Sequence, residues 1–274
     1  MFLSREEMFD RSLGGISQEN EVPHWAGNIA YVVVALVLKL FFRYRVENRE
    51  VLRAFKGKQG VIVASNHTSY LDVAFMWCAI RPAQWIRLMA RDSLFETAGG
   101  FGGQIIARAG AFPVKRDSAD RTSIKRAARM LKNGEMVGIF PEGTRRGKGS
   151  QEPAIHGGVA LIAKMGNAPI IPATVRNAEK IKRKGERIRF PQVSVAFGKP
   201  LYLENFNFVA KEDRLEACSW YVMRECYALF YNIPASEVDM PQLFPHSKDY
   251  TQLFAEHPLD TLISTPDASS AKEE

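Results

Sequence analysis

Residues 60–72 read GVIVASNHTSYLD, and this stretch decides the fold class. Residues 60–65 form a short unbroken apolar run rich in β-branched side chains, the pattern of a strand buried on both faces. Helical spacing begins at Tyr70 and continues to Ile80, so Asn66 to Ser69 is the turn through which a strand feeds a helix. Outward from it the alternation repeats. Residues 85–90, 111–114, 135–140, 168–175 and 193–197 read as strands, and residues 119–131, 157–165 and 211–231 as helices. In the first of these helices Ile124, Ala127, Ala128 and Leu131 make one apolar stripe, and Gly134 stops the helix just after Asn133. Strands alternating with helices predict an α/β fold with a mixed, largely parallel sheet flanked by helices.

The 274 residues are 46% hydrophobic and 24% charged, which suits one large domain or two small ones and excludes a disordered or collagen-like chain. Lys and Arg outnumber Asp and Glu by 37 to 30. Residues 235–274 hold eight acidic and two basic side chains, so the first 234 residues carry net +13. So basic a body suggests an anionic partner, and the acidic end reads as a solvated appendage of doubtful order. Cys78, Cys218 and Cys226 form no CxxC pair. Cys218 and Cys226 share a helical face, the pattern of buried free thiols in a reducing compartment.

Residues 1–23 are mixed in charge and lack the apolar core of a secretory signal. Residues 26–42 (AGNIAYVVVALVLKLFF) are apolar all round except for Lys39. As a helix they reach ~25 Å, slightly short of the ~30 Å hydrocarbon core, which leaves three arrangements open: a marginal span, a helix in one leaflet, or a buried core helix. Arg43, Arg45, Arg49, Arg53, Lys56 and Lys58 follow. At a bilayer that flank places the rest of the chain on the cytoplasmic side. The organisation expected is an N-terminal membrane-associated helical segment (1–45), an α/β domain (46–234) and an acidic tail (235–274). Deleting residues 1–42 is then expected to release a soluble protein.

Several chemistries find no motif. GxSxG is absent, residues 143–150 (GTRRGKGS) miss the Walker A glycine and hydroxyl, and residues 100–105 fail GxGxxG. No basic stretch interleaves aromatics as a nucleic-acid-binding sheet does, and no close-spaced ligand pair such as HExxH points to a metal. Three segments remain. His67 lies in the turn after the first strand and Asp72 one helical turn on, a spacing that lets the carboxylate fold back onto one ring nitrogen. The other nitrogen is then left to take a proton from a hydroxyl. The bland alternative is a capping His and a solvated Asp. Residues 140–145 (FPEGTR) offer a rigid turn with Glu142 for a polyol and Arg145 for a phosphate, or else a charged surface turn. Residues 110–116 (GAFPVKR) end a strand on Lys115 and Arg116, a phosphate ligand or a solvated strand end.

Taken in order, NHTSYLD, GAFPVKR, FPEGTR and the strand holding Pro172 resemble the four sequence blocks of the glycerolipid acyltransferases, closest to the bacterial 1-acyl-sn-glycerol-3-phosphate acyltransferases. The likeness covers residues 61–175. It implies acyl transfer from acyl-CoA or acyl-carrier protein to the sn-2 hydroxyl of lysophosphatidic acid at the cytoplasmic face of a membrane. No cofactor, metal or nucleic acid is implied. By this resemblance the HxxxxD pair supplies a general base, His67, oriented by Asp72. Arg116, Glu142, Gly143, Thr144 and Arg145 bind the acceptor, and an oxyanion or phosphate role falls to Arg91 or Lys115. Arg91 stands where relatives often have a lysine. A basic run, residues 176–189, holds seven Lys/Arg against Glu179 and Glu186 and is read as a solvated loop, or as a face for anionic lipid or an acidic carrier protein.

Overall fold

The computed structural model describes residues 4–17, 19–115, 120–143, 154–182 and 185–259. In chain order the elements are α1 (Arg5–Asp10), α2 (His24–Phe42), β1 (Arg45–Glu47), α3 (Glu50–Arg53), β2 (Val61–Ser65), α4 (Asp72–Ile80) and β3 (Ile86–Arg91). There follow α5 (Phe101–Arg108), β4 (Phe112–Val114), α6 (Arg121–Lys132), β5 (Met136–Ile139), α7 (Gly158–Gly166), β6 (Ile170–Arg176) and β7 (Ser194–Phe197). Helices α8 (Arg214–Tyr231), α9 (Met240–Leu243) and α10 (Thr251–Glu256) complete the chain. Each expected strand is present within two residues, and each expected helix within three. The strand β1 was not expected. Its Arg45 and Glu47 side chains are exposed and it sits at the sheet's edge, where charge discourages further pairing.

The seven strands are ordered β1-β7-β6-β2-β5-β3-β4. Strands β6, β2, β5, β3 and β4 run parallel, and β7 pairs antiparallel with β6. The sheet is therefore mixed and largely parallel. All five residues of β2 are buried, as its unbroken apolar run requires for a strand covered on both faces. Helices α6, α7 and α8 pack side by side on one face, and α4, with α2 lying across it, covers the other. Helix α6 starts on the Asp120 side chain, which accepts from the Ser123 N–H at 3.1 Å, and places Arg129 and Lys132 in its last turn. The shared direction of the five strands matters most for function. It brings the turns after β2, β5, β3 and β4 to one edge.

The described residues before α2 and after α8 pack into the same core as the sheet, and residues 260–274 of the expected tail lie outside the described residues. Met8, Phe9, Leu13 and Val22 belong to the same core cluster as the sheet, and so do Val238, Met240, Phe244, Tyr250 and Phe254. The expected boundaries at 45 and 234 therefore do not separate independent cores, and the doubt about order from 235 onward is corrected as far as Leu259. Burial of apolar area overrides the acidic composition there. The N-terminal segment is also held by polar bonds. Arg87 on β3 is fully buried, pairs with Glu135 at 2.7 Å and donates to the carbonyls of Met8 and Arg11. Glu135 in turn accepts the Leu13 N–H at 3.2 Å.

Candidate active site

His67 follows β2 directly, and Asp72 opens α4. His67 Nδ1 lies 3.1 Å from Asp72 Oδ2, and the same oxygen accepts the backbone N–H groups of Thr68 and Ser69, both at 2.7 Å. A carboxylate oxygen can only accept, so Nδ1 is the donor and the proton of the neutral ring sits there. Nε2 is left with its lone pair. The ring stacks on Phe140 from the turn after β5, with centroids 4.3 Å apart and planes 27° off parallel. With 11% of its side chain exposed, the imidazole is largely dry yet reachable. A ring held in this way can take a proton at Nε2, with Asp72 positioned to stabilise an imidazolium. Asn66, just before it, is held by the Thr174 hydroxyl, which donates to its Oδ1 at 2.7 Å and ties the end of β2 to β6.

The turn after β5 meets this pair because β2 and β5 are neighbours, with Ala64 opposite Ile139. Gly143 N–H bonds back to the Phe140 carbonyl at 3.0 Å, and Gly143 adopts φ +63°, a conformation open to glycine. Any Cβ there would also press on the His156 ring at 3.0 Å. Glu142, expected to bind the acceptor, is 2% exposed, and its Oε1 accepts both the His67 backbone N–H (3.2 Å) and the Tyr227 hydroxyl (2.9 Å). That oxygen bolts the FPEGTR turn to the histidine turn. Arg91 and Lys115 are exposed at the same edge, on β3 and just after β4. They lie two and three strands from β2, roughly 10 and 15 Å at ordinary strand spacing. Arg116, Thr144 and Arg145 lie outside the described residues.

Tyr227 was not singled out in the sequence. It comes 85 residues after Glu142, on α8, among aromatic positions that periodicity alone assigns to the core. Replacing Tyr227 by Phe keeps the ring and deletes one bond to a buried carboxylate. Such a loss typically costs about 1–3 kcal/mol and loosens the histidine turn. We expect kcat to fall about tenfold while the acceptor KM moves less than about threefold. Steady-state kinetics beside a melting curve measures this, and a kcat within twofold of the parent would show that the bond is only structural.

A cysteine nucleophile has no support. All three cysteines are buried and free, and burial pushes each thiol up to about 12, so none is ionised near neutrality. Cys226 sits closest in the fold to the site, its Sγ donating to the Ala64 carbonyl at 3.3 Å.

The acyltransferase family profile matches residues 43–176, which contain the whole His67–Asp72–Glu142 arrangement. A Bacillus subtilis protein named 1-acyl-sn-glycerol-3-phosphate acyltransferase is 33% identical over 182 residues, 66% of this chain and 85% of its own length. The Streptococcus pneumoniae protein of the same name is 32% identical over 52% of this chain and 50% of its own. The crystal structure of the 1-acyl-sn-glycerophosphate acyltransferase of Thermotoga maritima superimposes with a TM-score of 0.51 at 20% identity, covering 74% of this chain and 82% of that one, and so shares the fold. A relative matched over most of its own length, together with a family profile that spans the site, settles the classification: the chain belongs to the acyltransferase family.

Proposed function

We propose that this enzyme moves an acyl group from a thioester, acyl-CoA or acyl-carrier protein, to the sn-2 hydroxyl of 1-acyl-sn-glycerol-3-phosphate, giving phosphatidic acid. The observation that carries the reading is the His67 ring, fixed by Asp72 and Phe140 with Nε2 left as the basic nitrogen. The relatives, named 1-acyl-sn-glycerol-3-phosphate acyltransferases, support lysophosphatidic acid as the acceptor. Nε2 takes the hydroxyl proton, and the oxygen attacks the thioester carbonyl. The tetrahedral intermediate then expels the thiolate, which recovers the proton from the imidazolium. A thioester is already activated, so positioning and one base supply most of what the protein must add. The family resemblance assigns the acceptor phosphate to Arg116 and Arg145, and Arg91 and Lys115 add positive field at the same edge. Two arginines favour a phosphate monoester over a head-grouped lysophospholipid, the runner-up acceptor.

Helix α2 supports work at a lipid surface. Its 19 residues are long and apolar enough to cross a membrane, and most of the helix is left uncovered by the domain. Gly27, Tyr31 and Phe42 dock against Trp85, Trp77 and Phe75, so the helix rests on the domain along its length. A Cβ on Gly27 would come within 2.5 Å of the Trp85 ring, so glycine permits that approach. The opposite stripe, including Trp25, Ile29, Val32, Leu36 and Leu40, is exposed. A helix docked in this way lies in one leaflet with its apolar stripe down, rather than crossing the bilayer. In this reading the enzyme works at the membrane surface, and the basic flank of α2 supports the cytoplasmic side.

The test is a side-by-side assay of purified enzyme with lysophosphatidic acid and a lysophosphatidylcholine of the same chain, read by mass spectrometry. We expect the monoester to be acylated at least about a hundredfold faster, the loss of a charged contact being worth several kcal/mol. Equal rates would move the assignment to the runner-up.

A further inference from the structure

The basic run after β6 is placed by the tertiary structure beside the carboxyl end of α2. Val193 N–H donates to the Phe42 carbonyl at 3.1 Å, and Arg45 N–H to the Val193 carbonyl at 3.0 Å, so the chain leaving this loop runs beside the chain leaving α2. Arg189 N–H closes the loop on the Ile181 carbonyl at 2.8 Å, and the Ile181 side chain is buried beneath. The Phe190 ring stands 5.4 Å from Phe41 and 5.6 Å from Phe42. Despite these contacts Phe190 is 52% exposed and Ile188 57%, continuing the stripe of α2 that ends at Leu40 (70%). Exposed cations surround them: Lys182, Arg187 and Arg189 on the loop, Arg43 and Arg45 after α2. Glu186 pairs with Arg189 at 2.7 Å.

We propose that residues 185–190 form a second lipid-contact element, in which Ile188 and Phe190 enter the interface alongside Leu40 and Phe41 while Lys182, Arg187 and Arg189 bind anionic lipid headgroups. The proposal rests on the reading of α2 as an in-plane membrane helix. Scattered exposed apolar residues need no explanation, but a large aromatic and an isoleucine ringed by cations and continuous with an apolar helix face have the composition of an interfacial surface. The cations reach the headgroup layer while the apolar side chains sit one level deeper. An acidic carrier protein would call for the cations alone. The continuity of Phe190 with Phe41 is what selects lipid.

Co-sedimentation of the full chain with phosphatidylcholine vesicles, with and without 30 mole per cent phosphatidylglycerol, tests this (a composition of about one-third anionic lipid). The Ile188→Ser/Phe190→Ser variant is expected to bind both vesicle types about tenfold or more weakly. Arg187→Gln/Arg189→Gln is expected to lose about fivefold per charge on the anionic vesicles only. Both should keep the parental rate on acceptor dispersed in detergent micelles. Unchanged vesicle binding by both loop variants, with binding lost in Leu36→Glu/Leu40→Glu, would sink the loop proposal and leave the α2 reading standing. Unchanged binding in all three would sink both. If the arginine variant bound vesicles normally but slowed turnover with acyl-carrier protein and not with acyl-CoA, the occupant would be the carrier protein, and the lipid assignment would fall.

Discussion

Alanine at position 67 should lower the rate of acyl transfer by about 10²–10⁴-fold with little change in melting temperature. The size follows from removing the group proposed to take the hydroxyl proton. The fold should persist because Asp72 Oδ2 keeps its two backbone donors, Thr68 and Ser69. Asp72→Asn is the sharper companion. The amide oxygen, held by the Thr68 and Ser69 N–H groups, still accepts from Nδ1 but carries no negative charge, so the ring stays in place and the imidazolium loses its stabilisation. Its rate should fall comparably. The two variants are distinguished from mere damage by measuring turnover and thermal melting on the same preparation. A His67→Ala enzyme acting at the parental rate would end the general-base assignment.

The second large effect is on stability. Arg87→Met leaves Glu135 charged and buried with its ion-pair partner gone, and deprives the Met8 and Arg11 carbonyls of their donor. Breaking a buried pair in this way costs about 3–5 kcal/mol, which for a chain of this size lowers Tm by roughly 10 °C or more. Adding Glu135→Leu should restore part of the loss, because no lone charge then stays inside. A single variant melting within about 2 °C of the parent would refute the latch. The same geometry revises the expected outcome of removing residues 1–42. That deletion removes six core side chains, among them Met8, Leu13 and Phe42, along with the partners of Arg87 and Glu135, and it uncovers the aromatic surface under α2. An aggregating chain is expected in place of a soluble enzyme. The exposed stripe of α2, changed without touching its docked face, is the proper probe of membrane binding.

The contrast between Asp72 and Glu142 shows how far the site could be read in advance. Both are acidic residues in motif turns. Asp72 closes onto a ring five positions away and onto two N–H groups of its own turn, so local spacing was enough to anticipate the contact. Glu142 was assigned to the acceptor by the family resemblance, with a charged surface turn as the alternative, because nothing local in the chain announces its distant partners. Its carboxylate is instead shared between a turn 75 residues earlier and a tyrosine 85 residues later. Arg87 was hidden in a similar way. It sits in an apolar stretch that reads correctly as a strand, and its partners Met8 and Glu135 are 79 and 48 residues away. Phe244, Tyr250 and Phe254, in and beside α9 and α10, went unread because short segments rich in proline and polar residues carry little periodicity, and their burial is decided by the surface of α8 they cover.

The sequence by itself determined the alternation of strand and helix, the parallel sheet, and the turn that carries His67 and Asp72. These follow from periodicity, breaker residues and contacts within one turn of chain, all of which act over a few residues. Only the tertiary structure decided that α2 lies along the domain with one face outward, that Glu142 and Tyr227 lock two turns together, and that a basic loop carries Phe190 up to Phe41. Those outcomes depend on which surfaces remain once the sheet is covered and on polar groups finding partners far along the chain, and burial settles both only when the whole molecule closes.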